Sequence, residues 1–204
     1  MSEAHPVSID ISAVGTLHPS HLQLLMPMLQ RETVERLQNC SRLTARLLNL
    51  LPQEKADLTS LPFPTGSVER LALQSSATVG QAGLRMAGLA YGRSLARYVK
   101  ARDVAELDAA LGASTRLFSI RQAARLAASL PDIPPLPADT SPQALIATIG
   151  DCAWQCLARW RDIVETPYRA LASLKLPAVG LPSPASASFD PVIRAIAMDM
   201  DADA

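Results

Sequence analysis

Two histidines are the first residues of this sequence whose types and spacing could do chemistry. His18 and His21 lie three residues apart around Pro19 and Ser20, so two imidazoles could reach one metal ion. A four-coordinate zinc site needs further ligands, and neither a cysteine nor an acidic cluster lies near this pair in the sequence. We therefore expect no metal site, and a surface or helix-capping role for both histidines.

Two of the three cysteines, Cys152 and Cys156, lie one helical turn apart. Redox thiols usually form a CxxC motif, and a metal site would need further ligands. Cysteine is also a small hydrophobic residue that packs well, so we predict that both side chains lie in the core. An odd number of cysteines without the spacing of a disulfide framework indicates a reduced, cytoplasmic protein.

Paired carboxylates are the remaining candidates for acid–base chemistry. Glu32 with Glu35, and Asp103 with Glu106, fall at predicted helix starts or on solvated faces, where acidic side chains suit the helix dipole. The chain contains no GxGxxG, P-loop, GxSxG or HExxH motif, and the GxxG at residues 80–83 has helical flanks, unlike a KH loop. We predict that the protein is not an enzyme and that it binds no cofactor and no small-molecule substrate.

Basic side chains are concentrated in the middle of the chain. Residues 70–125 contain nine basic and three acidic side chains, although the whole protein has a net charge of zero. Arg93, Arg97 and Lys100 are spaced at i, i+4 and i+7 and would share one helix face. That face is either a solvated surface or a site for an acidic partner, for which the candidate residues are Arg85, Arg93, Arg97, Lys100 and Arg102.

The same region carries Gly88 and Gly92, a small-xxx-small spacing that lets helices approach closely. Arginines interrupt the stretch at 80–99, so we expect no membrane insertion there. We do not expect nucleic acid as a partner, because aromatic residues make up only 4% of the chain.

Composition and periodicity predict an all-α, compact multi-helix fold with Pro-rich connections and no sheet of consequence. Hydrophobic residues make up 49% of 204 residues, and Leu and Ala, both strong helix formers, dominate them. Helical spacing predicts segments over 19–26, 28–51, 67–99 with a break near 75–80, 103–111 and 115–130, and further helices that start at 142, 166 and about 189.

Local signals predict where some of these helices start and which faces they bury. Ser67, Asp103 and Ser141 are the expected N-caps, and Gly112 is an expected C-terminal signal. The helix over 115–130 would bury one apolar face, formed by Leu117, Ile120, Ala124, Leu126 and Ala127.

Three regions describe the predicted domain organisation. Residues 1–16 form a flexible N-terminus without a signal peptide, and residues 17–177 form a single α-helical domain. Within that domain, the Pro-rich stretch at 131–142 is a rigid connection. Residues 178–204 form a linker, a short amphipathic helix with Val192, Ile193 and Ile196 on its apolar face, and an acidic tail.

Residues 84–125 resemble the middle of the K subunits of type III secretion sorting platforms, the SctK family, whose relatives include YscK, MxiK and OrgA. In that family a leucine-rich helical run precedes a histidine or aromatic residue, a glycine and an arginine-containing turn. Here the element is LAYGR at 89–93, followed by Arg97. Residues 141–177 are similar to a later Trp-containing helix and a short helix ending in Leu-Pro, and residues 17–51 loosely resemble the N-terminal helices.

The resemblance implies a non-enzymatic cytosolic adaptor. Such a protein links the cytoplasmic domain of an inner-membrane ring protein (SctD-like) to the pod protein (SctQ-like) of the sorting platform. It would lie at the cytoplasmic face of the bacterial inner membrane. The residues alone leave a second function open, a helical regulatory or nucleic-acid-binding protein with a basic face at 85–102. A secretion chaperone is a third alternative, against which the lack of strands argues.

Overall fold

A computed structural model describes residues 17–38, 61–128, 130–134 and 136–202. Over these residues the protein forms ten α-helices and one short 3₁₀ helix, and no strand occurs among them, so the predicted all-α fold is confirmed. The helices are α1 (Pro19–Leu25), α2 (Arg31–Gln38), α3 (Ser67–Leu71), α4 (Ser76–Ala90), α5 (Gly92–Leu95), α6 (Ala101–Leu111), α7 (Ala113–Arg125), α8 (Pro142–Ile163), α9 (Thr166–Lys175) and α10 (Asp190–Ala202), with the 3₁₀ helix at Ala187–Phe189.

Contacts between residues divide the chain into two compact units. The first unit comprises the described residues of Met1–Val79 and Arg161–Leu181. The second comprises those of Gly80–Trp160 and Pro182–Ala204. The predicted division into 1–16, 17–177 and 178–204 stays a prediction, and residues 1–16 lie outside the described residues.

In the first unit, α1 starts and ends where the sequence predicts. Pro19 lies in its first turn, and His18 is the N-cap, whose Nδ1 accepts a hydrogen bond from the backbone N–H of Ser20 at 3.3 Å. The helix ends at Leu25, before Pro27, because proline cannot continue the hydrogen-bonded ladder. The second predicted helix starts at Arg31 rather than at residue 28, and residues 39–60 lie outside the described part of the chain.

In the second unit, the helix α7 buries a different face from the one predicted. Thr115, Ser119 and Ala123 are buried, whereas Leu117 is 42% exposed. The prediction of an apolar face at Leu117, Ile120, Ala124, Leu126 and Ala127 is therefore wrong. The reason is the partner surface, since α7 packs against the glycine-containing region of α4 and α5, where only small side chains fit.

The close approach is tightest at the two glycines of the small-xxx-small pair. A Cβ added to Gly88 would lie 2.5 Å from Ser119 Oγ. One added to Gly92 would lie 2.6 Å from the Ser119 carbonyl oxygen and would also overlap the Ala123 Cβ. The predicted role of this spacing in close helix packing is confirmed within the second unit.

Two of the three predicted N-caps are wrong. Gly66, not Ser67, is the N-cap of α3, and Lys100, not Asp103, is the N-cap of α6, where Asp103 instead lies in the first turn. An acidic side chain stabilises the first turn through the helix dipole without being the cap. The Ser141 cap is confirmed, since its Oγ accepts from the Ala144 N–H at 3.2 Å.

Two further turns match the predicted pattern. Gly112 ends α6 with φ of 84°, a left-handed conformation that glycine adopts without strain. The helix α9 starts at Thr166 with Pro167 in its first turn. The described residues of the Pro-rich stretch before α8 are non-helical.

The C-terminal helix α10 packs into the second unit. Val192, Ile193 and Ile196 are buried, which confirms the predicted apolar face. At the start of α10, Asp190 accepts two hydrogen bonds from Arg159 of α8, at 2.7 and 2.8 Å. These bonds hold the pKa of the Asp190 carboxyl below its ordinary value, so the pair is ionised at neutral pH.

Candidate partner interface

The five candidate basic residues do not lie on one helix face. The helix α4 ends at Ala90, and Tyr91 leaves helical geometry with φ of −97° and ψ of 13° before α5 starts. Arg93 therefore belongs to α5, Arg97 to the turn after it, and Lys100 to the residue before α6. The predicted continuous face is wrong, because α5 ends at Leu95 and the chain has no helical residue from there to Ala101, where α6 starts.

Arg85 is held by interactions inside the second unit. Its guanidinium donates to Asp199 Oδ2 at 2.9 Å and to Met200 Sδ at 3.2 Å, and it lies 5.4 Å from the centroid of the Phe118 ring. The side chain is 22% exposed. Arg85 thus connects α4 with α7 and α10, which is a structural role.

Arg97 and Tyr98 bind the Pro-rich stretch through its carbonyl groups. Arg97 donates to the Leu136 carbonyl at 3.0 Å and to the Pro137 carbonyl at 3.3 Å. The Tyr98 hydroxyl donates to the Thr140 carbonyl at 2.6 Å. Because prolines lack an N–H, this stretch forms backbone hydrogen bonds to the rest of the protein mainly through its carbonyl groups.

A cleft of about 520 Å³ lies beside these contacts, within the second unit. In the part of the chain that the structure describes, its charged lining groups are the guanidinium groups of Arg93 and Arg97 and the carboxylate of Asp132, and all three side chains are exposed. The remaining lining is mostly apolar. The described lining residues are Ala90, Tyr91, Arg93, Ser94, Arg97, Ala127, Leu130, Pro131, Asp132, Ile133 and Pro134.

Lys100 and Arg102 lie on the surface outside the lining of this cleft. Both are exposed, and Arg102 has a side chain that is 88% exposed. Its Nε lies 3.5 Å from Glu106 Oε1, one helical turn along α6. Such an exposed pair adds little to stability, so both cations are available at the surface.

The two histidines hold the end of α9 in the first unit. The backbone N–H of His18 donates a hydrogen bond to the Leu174 carbonyl at 2.9 Å. His21 is buried, and its Nε2 lies 2.8 Å from the Leu176 carbonyl oxygen and 3.2 Å from that of Ser173. The capping role is confirmed for His18, whereas the surface role is wrong for His21, whose ring satisfies carbonyl groups at a helix end.

The two thiols lie in the core, as predicted. Cys152 and Cys156 are buried and free, with their sulfur atoms 3.9 Å apart. The hydrogen bond to Cys152 and burial raise the pKa of the Cys156 thiol, which keeps that sulfur protonated. Among the residues that the structure describes, no group of three His, Cys, Asp or Glu is placed to hold a metal ion.

The burial of one charged residue, Lys175, was not predicted from the sequence. Lys175 is 1% exposed, and burial lowers its pKa to about 7. The signal is its spacing, because Lys175 follows Leu171 by four residues and so falls on the buried stripe of α9 with Leu174. It lies in the first unit, whereas the cleft is in the second.

None of the helices in the described ranges has the length and apolar character needed to cross a membrane. No family model matches the chain, and no solved structure matches it. Two curated proteins do. The nodulation protein NolU of Sinorhizobium fredii (strain NBRC 101917 / NGR234) is 30% identical over 176 residues, which cover 86% of this chain and 76% of the relative. The nodulation protein NolU of Rhizobium fredii matches with the same identity and coverage.

Proposed function

The chain belongs to the family of the nodulation protein NolU, and from this premise we propose that it is a non-enzymatic adaptor of a bacterial type III secretion system. In this role it links the cytoplasmic domain of the inner-membrane ring protein to the pod protein of the sorting platform. It acts at the cytoplasmic face of the inner membrane.

The observation that carries the proposal is agreement between two kinds of likeness. The relatives align over 86% of the chain, and their name assigns them to nodulation, in which a bacterium acts on a plant host. The sequence of residues 84–125 and 141–177 resembles the K subunits of a machine that exports proteins toward a host. An all-α protein without strands in its described residues is consistent with such a subunit.

The exposed basic residues support partner binding more than nucleic-acid binding. Arg93, Lys100 and Arg102 are exposed but belong to separate elements. A nucleic-acid-binding helix would present a continuous row of cations to successive phosphates, and the non-helical residues between α5 and α6 interrupt that row. Separate basic patches suit an adaptor that contacts acidic protein surfaces.

Co-purification tests the adaptor role. An affinity-tagged chain, produced from its own locus in the secretion-competent source bacterium, should recover both the pod protein and the ring protein. The double variant Arg93→Glu with Arg97→Glu should reduce recovery of a partner about tenfold, because reversed charges repel an acidic surface. Thermal unfolding of Arg93→Glu alone should stay within about 2 °C of the wild type, whereas the double variant also loses the Arg97 hydrogen bonds to the Leu136 and Pro137 carbonyls and should unfold at a lower temperature.

The control is the pair Arg121→Glu with Arg125→Glu, which reverses two exposed charges on α7 outside the cleft lining. It should leave recovery unchanged. Recovery of neither partner by the wild-type chain would refute the adaptor role. If Arg93→Glu alone lowered both the partner recovery and the unfolding temperature, Arg93 would be assigned to the fold.

A further inference from the structure

We propose that the cleft beside α5 is the docking site for a short segment of a protein partner, one that carries a single carboxylate next to an apolar side chain. The cleft is lined by Arg93, Arg97 and Asp132 together with the apolar residues of 127–134. This inference deepens the proposed function, on which it rests for the assumption that the ligand is a protein.

The charges of the cleft select an anionic ligand. Arg93 is exposed, and it has neither a hydrogen bond nor an ion pair to any described residue. Arg97 uses two N–H groups on the neutral carbonyls of Leu136 and Pro137, so its charge is not paired with a carboxylate there. Among the described lining residues, two guanidinium groups against the carboxylate of Asp132 leave one positive charge, which a single ligand carboxylate balances.

The walls of the cleft select an apolar neighbour for that carboxylate. Ala127, Leu130 and Ile133 line the cleft, together with Ala90 at the end of α4 and Tyr91 in the turn after it. Binding sites generally combine such apolar surface with a few polar groups that fix orientation. One apolar ligand side chain would contribute burial, and the carboxylate would fix the register.

The shape of the cleft is set before any ligand arrives. Pro131 and Pro134 restrict the backbone of the wall, and Arg97 and Tyr98 hold the following residues through their carbonyl groups. A preorganised site loses less conformational entropy on binding, so a short segment can be enough for measurable affinity.

A protein segment fits this charge balance better than a nucleic acid. A nucleic-acid strand would bring a phosphate at each nucleotide, and more than one of them would meet the carboxylate of Asp132. Tyr91 is the one aromatic residue among those described in the lining, whereas single-stranded nucleic acid is held by stacking on several aromatic rings.

Selection from a phage-displayed library of random dodecapeptides tests the site on the full chain. The enriched sequences should share an Asp or Glu next to an apolar residue. Fluorescein-labelled synthetic copies should bind Arg93→Glu at least about tenfold more weakly than wild type, because a salt-bridging cation becomes a repelling carboxylate. Asp132→Asn should bind them about threefold more tightly, since it removes a repulsion.

Two controls make each result decisive. The first is Arg121→Glu, a charge reversal at an exposed residue outside the cleft lining, which should bind the peptides with an affinity within about twofold of wild type. The second replaces the peptide carboxylate by its amide, which should weaken peptide binding to wild type but not to Arg93→Glu. Enriched peptides without a carboxylate, or equal binding by Arg93→Glu, would overturn the proposal. So would Arg93-dependent binding of a labelled 20-nucleotide oligothymidine that displaces the peptides.

Peptide binding and partner co-purification separate this inference from the adaptor role. Recovery of the pod or ring protein by a chain that binds no peptide would overturn the docking site and leave the adaptor role standing. Arg93-dependent peptide binding by a chain that recovers neither protein would support the docking site and refute the adaptor role.

Discussion

Lys175 is the residue whose burial has the clearest energetic consequence. Its folded-state pKa is about 7, whereas the ordinary lysine value is 10.5, so the folded protein binds fewer protons than the unfolded chain between these pH values. Stability therefore rises with pH from about 7 to about 10.5. Below pH 7 the lysine is charged in both states, and its titration no longer changes the stability.

We predict that the stability of Lys175→Met relative to the wild type is about 1–4 kcal/mol greater at pH 6 than at pH 9.5, because an apolar side chain of similar length does not titrate. The gain should shrink as the pH rises toward 10, where the wild-type lysine is neutral in the folded state. Urea unfolding of both proteins at pH 6, 8 and 9.5 measures the difference.

The exposed Lys100 provides the matched control for that titration. Lys100→Met should change the free energy of unfolding by less than about 0.5 kcal/mol at every pH, as is usual for a surface substitution. A Lys175→Met gain that stays constant from pH 6 to 9.5 would show that packing, not charge burial, causes the stabilisation.

Residue types alone predicted less about the histidines than about the cysteines. Cys152 and Cys156 pack in a core because a thiol needs no partner there. His21 is buried only because the Ser173 and Leu176 carbonyls lie within reach of its ring, and these residues are more than 150 positions away in sequence. No local pattern around residue 21 contains that information.

At the scale of elements, helix starts were predictable where the signal is local. Pro142 in the first turn of α8, preceded by the Ser141 cap, and Pro167 in the first turn of α9 both act on adjacent backbone groups. The buried face of α7 was not predictable in this way. It is set by the glycines of the packing partner, so Ser119 is buried and Leu117 is exposed.

We predict that Gly92→Ala destabilises the protein by about 1–3 kcal/mol, the usual effect of overpacking a tight contact. The new Cβ would lie 2.6 Å from the Ser119 carbonyl oxygen, and backbone cannot move aside as a flexible side chain can. Chemical denaturation of the variant and the wild type gives the change in the free energy of unfolding.

Gly150 in α8 provides the comparison, because an added Cβ there meets nothing within 4 Å. Gly150→Ala should stabilise the protein by about 0.5–1 kcal/mol through helix propensity alone. If Gly92→Ala were stabilising to the same extent, the close approach of α5 and α7 would not constrain this position.

At the scale of the whole molecule, the excess of basic residues in 70–125 does not form one basic surface, because some of these residues pair with carboxylates inside the second unit. Of the nine basic residues in 70–125, Arg85 and Arg116 pair with Asp199 and Asp108 inside the second unit. Arg93 and Arg97 instead line a cleft. Net charge counted along a chain cannot distinguish cations paired internally from those exposed at a surface, because pairing depends on the tertiary fold.

The role of the C-terminal residues is also a property of the whole chain, and removing them tests it. The sequence predicts an autonomous domain over 17–177, whereas α10 buries Val192, Ile193 and Ile196 in the second unit. Each buried aliphatic side chain contributes about 1.5–3 kcal/mol, so a chain ending at residue 181 should lose most of the usual 5–15 kcal/mol of stability.

The milder Ile193→Ala should cost about 2–5 kcal/mol, and Met198→Ala, at a position 65% exposed on the same helix, should cost little. Calorimetric unfolding of the three variants decides the question, since an unchanged midpoint for the shortened chain would establish the autonomous domain.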